Sequence, residues 1–298
     1  MPGSARPGST LGRVGIGVVF AARINGPRPP IDSRVFSGGG VIQVRNVVKR
    51  FGGVLAVDGC TLDVAAGSMT GLIGPNGAGK TTLFNLIAGF MPPTSGQILL
   101  GGQDVTGRRT DELFHLGLAR TFQIPQEFSR MTVLENLLVV PPGQSGERLL
   151  TGLFGWGRIR AEESRVRQRA LEVLDFLRLG HVAGQPAGAL SGGQKKLLEL
   201  GRAMMSGART LLLDEPAAGV NRTLLATLRD DLKRLHREGY TCLVIEHDMD
   251  FIGDLCDPIY VMAEGRVLMK GTMQEIRANP QVQEAYLGGS ALKSERVA

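Results

Sequence analysis

Met69-Thr70-Gly71-Leu72-Ile73-Gly74-Pro75-Asn76-Gly77-Ala78-Gly79-Lys80-Thr81-Thr82 is an uncharged apolar run that breaks into a glycine-rich turn and leaves it through a lysine and two threonines. Met69 to Ile73 has the length and texture of a buried strand, and Lys80 to Gly89 reads as a helix. The turn between them satisfies the G-x-x-x-x-G-K-[ST] pattern in the strand, turn, helix setting that gives the pattern its meaning. Glycines let the backbone curl so that successive N–H groups point at the β- and γ-phosphates of a nucleotide. The helix that follows offers its positive N-terminal end to the same anion. On this reading Gly74, Pro75, Asn76, Gly77, Ala78 and Gly79 form the cradle and Lys80 bridges the two phosphates. The Thr81 hydroxyl is a ligand of Mg²⁺, and Thr82 adds a phosphate contact. ATP with Mg²⁺ is the ligand this chemistry suits.

A second apolar run, Leu211-Leu212-Leu213, ends in Asp214-Glu215-Pro216. A buried parallel strand delivers its C-terminal end to the ligand crevice, so acids there stand beside the phosphates. Asp214 is expected to hold Mg²⁺ through water, and Glu215 to polarise the attacking water as general base. Strand runs at Thr210 to Leu213 and Thr241 to Ile245 flank an amphipathic helix from Arg222 to Glu238, a βαβ unit that implies a parallel sheet. Upstream, Ile42 to Val48 and Cys60 to Val64, separated by Phe51-Gly52-Gly53, predict an antiparallel front piece, with Ile98 to Leu100 as a further strand. Between about Pro125 and Met205 the texture is helical: Val133 to Val139, Glu162 to Leu179, and Gly192 to Met205. Ile259 to Met262 and Arg266 to Met269 read as a closing hairpin. The fold class is therefore α/β: a phosphate-loop (RecA-like) parallel-sheet core with an antiparallel β-subdomain and an inserted helical subdomain spanning about residues 124–205.

Composition narrows the alternatives. The net charge is +6 over 298 residues, but Arg6, Arg13, Arg23, Arg28 and Arg34 against the single acid Asp32 place most of that excess before residue 41. What is left is too little for a nucleic-acid-binding patch. Cys60, Cys242 and Cys256 have neither disulfide-framework nor zinc-ligand spacing and fit a reducing cytosol. No stretch reaches the roughly 18 to 20 uninterrupted apolar residues of a membrane helix. Residues 1–40, rich in Gly, Pro, Ser and Arg, hold few residues able to build a core. They are expected to be a disordered extension or an over-long start, despite a short Val14 to Ala22 run that mimics a secretory signal.

The discriminating segment is Leu190-Ser191-Gly192-Gly193-Gln194, directly before a helix and about twenty residues ahead of Asp214-Glu215. It resembles the signature of the ABC ATPases. Ser191 is placed as a helix N-cap, and with the Gly192 and Gly193 amides it makes a second anion-binding helix start. The resemblance implies that two copies face head-to-tail, with Ser191, Gly192, Gly193 and Gln194 closing over the γ-phosphate held by the other subunit. It also implies that Gln123, in Ala119-Arg120-Thr121-Phe122-Gln123, senses Mg²⁺ and links the core to the helical lobe. His247, in Val244-Ile245-Glu246-His247-Asp248, is then the switch histidine on the γ-phosphate, and Phe51 the aromatic that stacks on adenine. One segment departs from the family: Ala217-Ala218-Gly219-Val220-Asn221 stands where many members read Ser-Ala-Leu-Asp, so an acidic subunit contact is missing. Asn221 retains hydrogen-bonding capacity across such an interface.

The resemblance covers about Ile42 to Gly289, so that residues 41–289 form the nucleotide-binding domain and 290–298 a C-terminal tail. Lys49-Arg50-Phe51-Gly52-Gly53, Gly117 to Gln123, Pro216-Ala217-Ala218-Gly219 and Ala285-Tyr286-Leu287-Gly288-Gly289 are most similar to the ATPase subunits of branched-chain amino-acid importers. That family implies a second ATPase subunit, identical or related. It further implies two transmembrane permease subunits, a periplasmic or extracellular binding protein, and a peripheral place on the cytoplasmic face of the inner membrane. A urea or short-amide importer is the near alternative, and a soluble non-transport ABC ATPase the distant one. Deleting Met1 to Gly40 is expected to leave ATPase activity and the melting temperature essentially unchanged, as activity assays and thermal unfolding of the truncated chain will check.

Overall fold

The computed structural model describes residues 41–121, 126–141 and 156–286, with no side-chain detail for 156–159. The expectations for residues 1–40, for Gln123 and for the chain beyond Tyr286 lie outside the described residues. The chain opens with β1 (Ile42–Phe51) and β2 (Val54–Val64), an antiparallel pair that turns through Gly52 and Gly53. β3 (Met69–Ile73) leads through the glycine-rich turn into α1 (Lys80–Ile87). β4 (Ser95–Leu100) then pairs with the other side of β1, and the two-residue β5 (Gln103–Asp104) extends β4. This front sheet, ordered β2-β1-β4-β5, is antiparallel throughout.

The remaining elements are α2 (Thr110–His115), β6 (Leu118–Arg120), α3 (Val133–Leu138), α4 (Trp156–Phe176), α5 (Gly192–Met205), β7 (Thr210–Asp214), α6 (Arg222–Arg237), β8 (Thr241–Ile245), α7 (Met249–Leu255), β9 (Ile259–Ala263), β10 (Arg266–Gly271) and α8 (Met273–Ala278). The second sheet is ordered β10-β9-β3-β8-β7-β6, parallel at every pairing except the β9–β10 hairpin. Strands β3, β7, β8 and β9 are buried along nearly every residue because both faces are covered. Leu211, Leu213, Cys242, Val244, Ile259 and Val261 belong to the core shared with α5, α6 and α7. Leu212, Leu243, Ile245, Tyr260 and Met262 pack into the core shared with α1 and the front sheet. Alternation along each strand thus divides one hydrophobic run between two layers.

β6 and β7 are adjacent parallel strands, and α3, α4 and α5 form the connection between them. The helical lobe is therefore an enlarged crossover, tied to the sheet at both ends. α4 stops at Phe176, short of the expected Leu179, because Arg178 takes a left-handed φ of 57°. Leu179 N–H bonds the Leu174 carbonyl (2.7 Å) and Arg178 N–H the Asp175 carbonyl (3.0 Å), the two bonds of a Schellman stop, with Leu174 and Leu179 both buried. Glycine usually fills that position; a left-handed L-residue costs about 1–2 kcal/mol.

The reason for an arginine lies in its head group. Arg178 Nη1 donates to Asp231 Oδ1 (3.0 Å), a carboxylate on α6 with 0% exposure, while Arg234 lies 3.5 Å from the same oxygen. Arg234 also donates to the Phe176 carbonyl (3.0 Å) and stacks on the Phe176 ring (3.8 Å to centroid), so the end of the lobe helix is pinned to the core helix. Burial pushes the Asp231 carboxyl above its ordinary value, and the two arginines oppose that shift. Asp231→Ala is expected to lower stability by about 1.5–3 kcal/mol, the range for hydrogen bonds to a charged group. Arg178→Gly should cost less than Asp231→Ala, since relief of the left-handed strain offsets part of the lost pair; urea unfolding of both variants tests the ranking.

Candidate active site

Because β3, β8 and β7 are parallel neighbours, with Ile245 level with both Leu72 and Asp214, their C-terminal ends emerge along one edge. Gly74, the Glu246-His247 pair and Glu215 follow directly from these ends. In the turn after β3, Gly79 caps α1 at φ 95°, and a Cβ there would lie 2.3 Å from the Ala56 carbonyl oxygen, so no other residue fits. The β9–β10 turn braces the loop: Gly265 N–H donates to the Ala78 carbonyl at 3.1 Å. Asn76, Gly77 and Thr81 are exposed, whereas Lys80 is only 6% exposed. Its ammonium donates to the carbonyls of Gly74 (2.7 Å) and Pro75 (3.0 Å), curled back into the loop. Burial pulls its pKa below the ordinary value, with Glu215 and Asp214 opposing. No acidic side chain sits in the first turn of α1, so the positive helix end is left for an anion.

Asp214 is 6% exposed and is engaged on Oδ2 by Arg120 Nη2 at 2.6 Å. The other terminal nitrogen of Arg120 donates to Asn85 Oδ1 (2.5 Å), and its guanidinium lies near the rings of Phe84 (5.7 Å) and Phe90 (5.2 Å). Sequence reasoning missed this residue, although it lies in the quoted stretch before Gln123; nothing local marks it as the partner of an acid 94 positions away. Glu215 is held in a left-handed conformation, φ 47°. Its N–H donates to the Ile245 carbonyl (3.0 Å) and its own carbonyl accepts the Lys196 ammonium (2.5 Å). Its Oε1 is 2.8 Å from His247 Nε2, so the expected general base and switch histidine meet. Glu246, another unanticipated residue, accepts the N–H of Ala217 (2.6 Å) and of His247 (3.1 Å) on its two oxygens, and burial pushes its carboxyl above the usual range.

The two glycines of the Ser191 segment do different work. Ser191 caps α5, accepting Gln194 N–H at 3.3 Å, while Gln194 Oε1 accepts Ser191 N–H at 3.0 Å, a reciprocal capping box. A Cβ on Gly193 would lie 2.1 Å from Leu224 Cδ2 on α6, so a side chain here would have to displace that leucine; at Gly192 the same atom would meet nothing within 4 Å. Lys196, one turn further along α5, is the residue that reaches the Glu215 carbonyl, so the helix bearing the Ser191 segment contacts the acid directly. Asn221 turns out to cap α6, accepting Leu224 N–H at 2.9 Å. Phe51 is 47% exposed at the end of β1, with the Lys49 ammonium 5.2 Å from its ring centroid.

Gln123 lies outside the described residues, but the chain on either side of it is anchored to opposite partners. Thr121 N–H donates to the Leu212 carbonyl (2.9 Å) in the sheet, while the Gln126 carbonyl accepts Arg202 Nη1 (2.5 Å) and Glu127 pairs with Lys195 (2.7 Å), both on α5. The donor set for Mg²⁺, the Asp214 carboxylate and the Thr81 hydroxyl, is the hard-oxygen kind that this ion takes together with nucleotide phosphates. Arg120 engages Oδ2 of Asp214, and oxygen donors of this kind suit the ion.

Comparison with known proteins agrees with this geometry. The ABC transporter family matches residues 57–218, and the branched-chain amino acid ATP-binding cassette transporter family matches residues 266–291. A probable branched-chain amino acid transport ATP-binding protein LivG of Archaeoglobus fulgidus is 43% identical, over 83% of this chain and 95% of its own length. The high-affinity branched-chain amino acid transport ATP-binding protein LivG of Escherichia coli K12 is 40% identical, over 83% and 98%. An ATP-binding cassette of an ABC transporter solved in its ADP conformation superposes with a TM-score of 0.72 at 39% identity, over 83% of this chain and 98% of that one. With a nucleotide loop, an acid pair and a capped Ser191 segment in one fold, and relatives spanning nearly their whole length, the chain belongs to the ABC transporter ATP-binding family, in its branched-chain amino-acid group, and is an ATPase.

Proposed function

We propose that this chain hydrolyses ATP to drive an importer of branched-chain amino acids, with Glu215 as the general base. The observation that carries the site assignment is the Glu215–His247 contact at 2.8 Å beside the buried Lys80. Lys80 exchanges the Gly74 and Pro75 carbonyls for the β- and γ-phosphates, and the amides of the Gly74 to Thr82 stretch complete the cradle. Phe51 offers its exposed face to adenine. Asp214, Thr81 and Gln123 would hold Mg²⁺, which would neutralise charge on the phosphate oxygens. Glu215 takes the proton of the attacking water as the bond from the γ-phosphorus to the β-bridging oxygen breaks, yielding ADP and phosphate. His247 orients the Glu215 carboxylate and touches the γ-phosphate.

Ser191, Gly192, Gly193 and Gln194 act on nucleotide held by a second ATPase subunit. Support comes from the open space over Gly192 and from the bonds of Ser191, which stay within its own turn. Among the described residues no helix is long and apolar enough to cross a membrane. Transport thus calls for two separate permease subunits, with this chain peripheral on the cytoplasmic face of the membrane. A binding protein on the far side delivers cargo. The choice of cargo rests on the relatives' names and on the match at residues 266–291.

Glu215→Gln is expected to retain ATP binding and lower turnover by about 10²–10⁴-fold. It should accumulate as an ATP-held dimer on size exclusion, whereas Lys80→Ala weakens binding itself. Wild-type hydrolysis by the Gln variant would overturn the base assignment. Deleting the gene should abolish high-affinity uptake of leucine, isoleucine or valine, with rescue by the wild-type gene and none by the Glu215→Gln copy. Intact uptake of these amino acids in the deletion strain would refute the cargo.

A further inference from the structure

The chains leaving β7 and β8 stay joined after the sheet has ended. Asp214 and Ile245, the last residues of the two strands, are level, and one step further Glu215 N–H donates to the Ile245 carbonyl at 3.0 Å. There Glu215 turns into the left-handed region at φ 47°, and Pro216 has no N–H with which to continue the ladder. A side chain takes over from the backbone. Glu246 Oε1 accepts the N–H of Ala217 at 2.6 Å, and its Oε2 accepts the N–H of His247 at 3.1 Å.

Glu246 is 3% exposed, and a buried carboxylate is costly unless its oxygens are bonded. Filling the space alone would be done as well by an apolar side chain of similar shape. Its two bonds bracket the proposed base. Ala217 lies two residues after Glu215, and His247 closes from the other side with Nε2 2.8 Å from Glu215 Oε1. The His247 side chain is 45% exposed, so burial does little to orient its ring, and the backbone that carries it must. The Glu215 backbone is already fixed by the Ile245 carbonyl and by the Lys196 ammonium on its own carbonyl (2.5 Å). Glu246 supplies the corresponding hold on the histidine.

We infer that Glu246 is a positioning residue for hydrolysis, its carboxylate clamping the Ala217 and His247 amides together and so keeping His247 Nε2 against Glu215 Oε1. Its bonds go to the turns after β7 and β8, whereas the phosphate loop follows β3. Loss of the clamp therefore acts on turnover and spares nucleotide binding. A group displaced by about 1 Å can lose on the order of 10²-fold in rate, which is the scale on which a clamp of two hydrogen bonds matters. The inference rests on the proposed role of Glu215 as general base.

The test uses the full-length protein with Glu246→Gln and Glu246→Leu, each alone and in the Glu215→Gln background. Glutamine keeps the shape and one accepting oxygen; leucine keeps apolar volume and no acceptor. ATP affinity, ATPase kinetics and the imidazole ¹⁵N signals of His247 are measured. Glu246→Gln should retain Kd and KM for ATP, lower kcat by about 10–100-fold and move the His247 signals. Glu246→Leu should lose at least as much in kcat and also melt lower. In the Glu215→Gln background the same changes should alter the residual turnover by less than about 3-fold, because residues that act as a unit are not additive. Wild-type kcat in both single variants, or unmoved His247 signals, would overturn the inference and leave Glu246 as a stabilising bond alone. A full-sized loss on top of Glu215→Gln would overturn it too. Wild-type turnover by Glu215→Gln itself would instead remove the base reading, and moved His247 signals in Glu246→Gln would still support the clamp.

Discussion

Parallel pairing of β3 with β8 and of β8 with β7 sets Leu72 and Asp214 level with Ile245, so that three chain reversals leave the sheet along one edge. Every group proposed to touch nucleotide phosphates from within this subunit follows from that register. A two-residue slip of β7 against β8 would keep each side chain on its own face and carry Asp214 and Glu215 some 6–7 Å along the strand. The register is secured by burial on both faces, since a one-residue slip would exchange the residues of two different cores. The antiparallel front sheet and the helices are thus as much a condition of the chemistry as the loop itself.

Around that edge the acids are placed by basic side chains drawn from elsewhere. Arg120, at the end of β6, holds Asp214, and Lys196, from the helical lobe, holds the carbonyl of Glu215 in its left-handed conformation. Burial of the Arg120–Asp214 pair carries a desolvation cost, and Arg120 offsets part of it through Asn85 and the faces of Phe84 and Phe90. Glu246 joins Ala217 to His247, so the segment that departs from the commonest family sequence is tied directly to the histidine. The lobe and the core are also pinned far from the acids, where Arg178 and Arg234 meet Asp231.

Much of this molecule is legible along the chain itself. The phosphate loop, the strand ending in Asp214-Glu215, the capped helix after Ser191, the βαβ unit and the closing hairpin are each local patterns, governed by glycine conformation, capping and apolar period. The short elements β5, β6, α2, α7 and α8 are not legible in that way, because two to seven residues span too little of any period to stand out. Arg120, Lys196 and Glu246 are likewise invisible beforehand, since a buried ionic or hydrogen-bonded partner is selected by distance in space. Asn221, whose hydrogen-bonding capacity the sequence reading noted, also caps its own helix start, a use that capping preference favours. Sequence alone determined that this chain has a glycine-rich loop between a strand and a helix, two acids at a strand end and a capped helix start at Ser191, because each needs only neighbours a few bonds away. Only the tertiary structure decided which basic group meets which acid and which of Gly192 and Gly193 is free of packing, because those contacts exist only once strands far apart in the chain lie side by side.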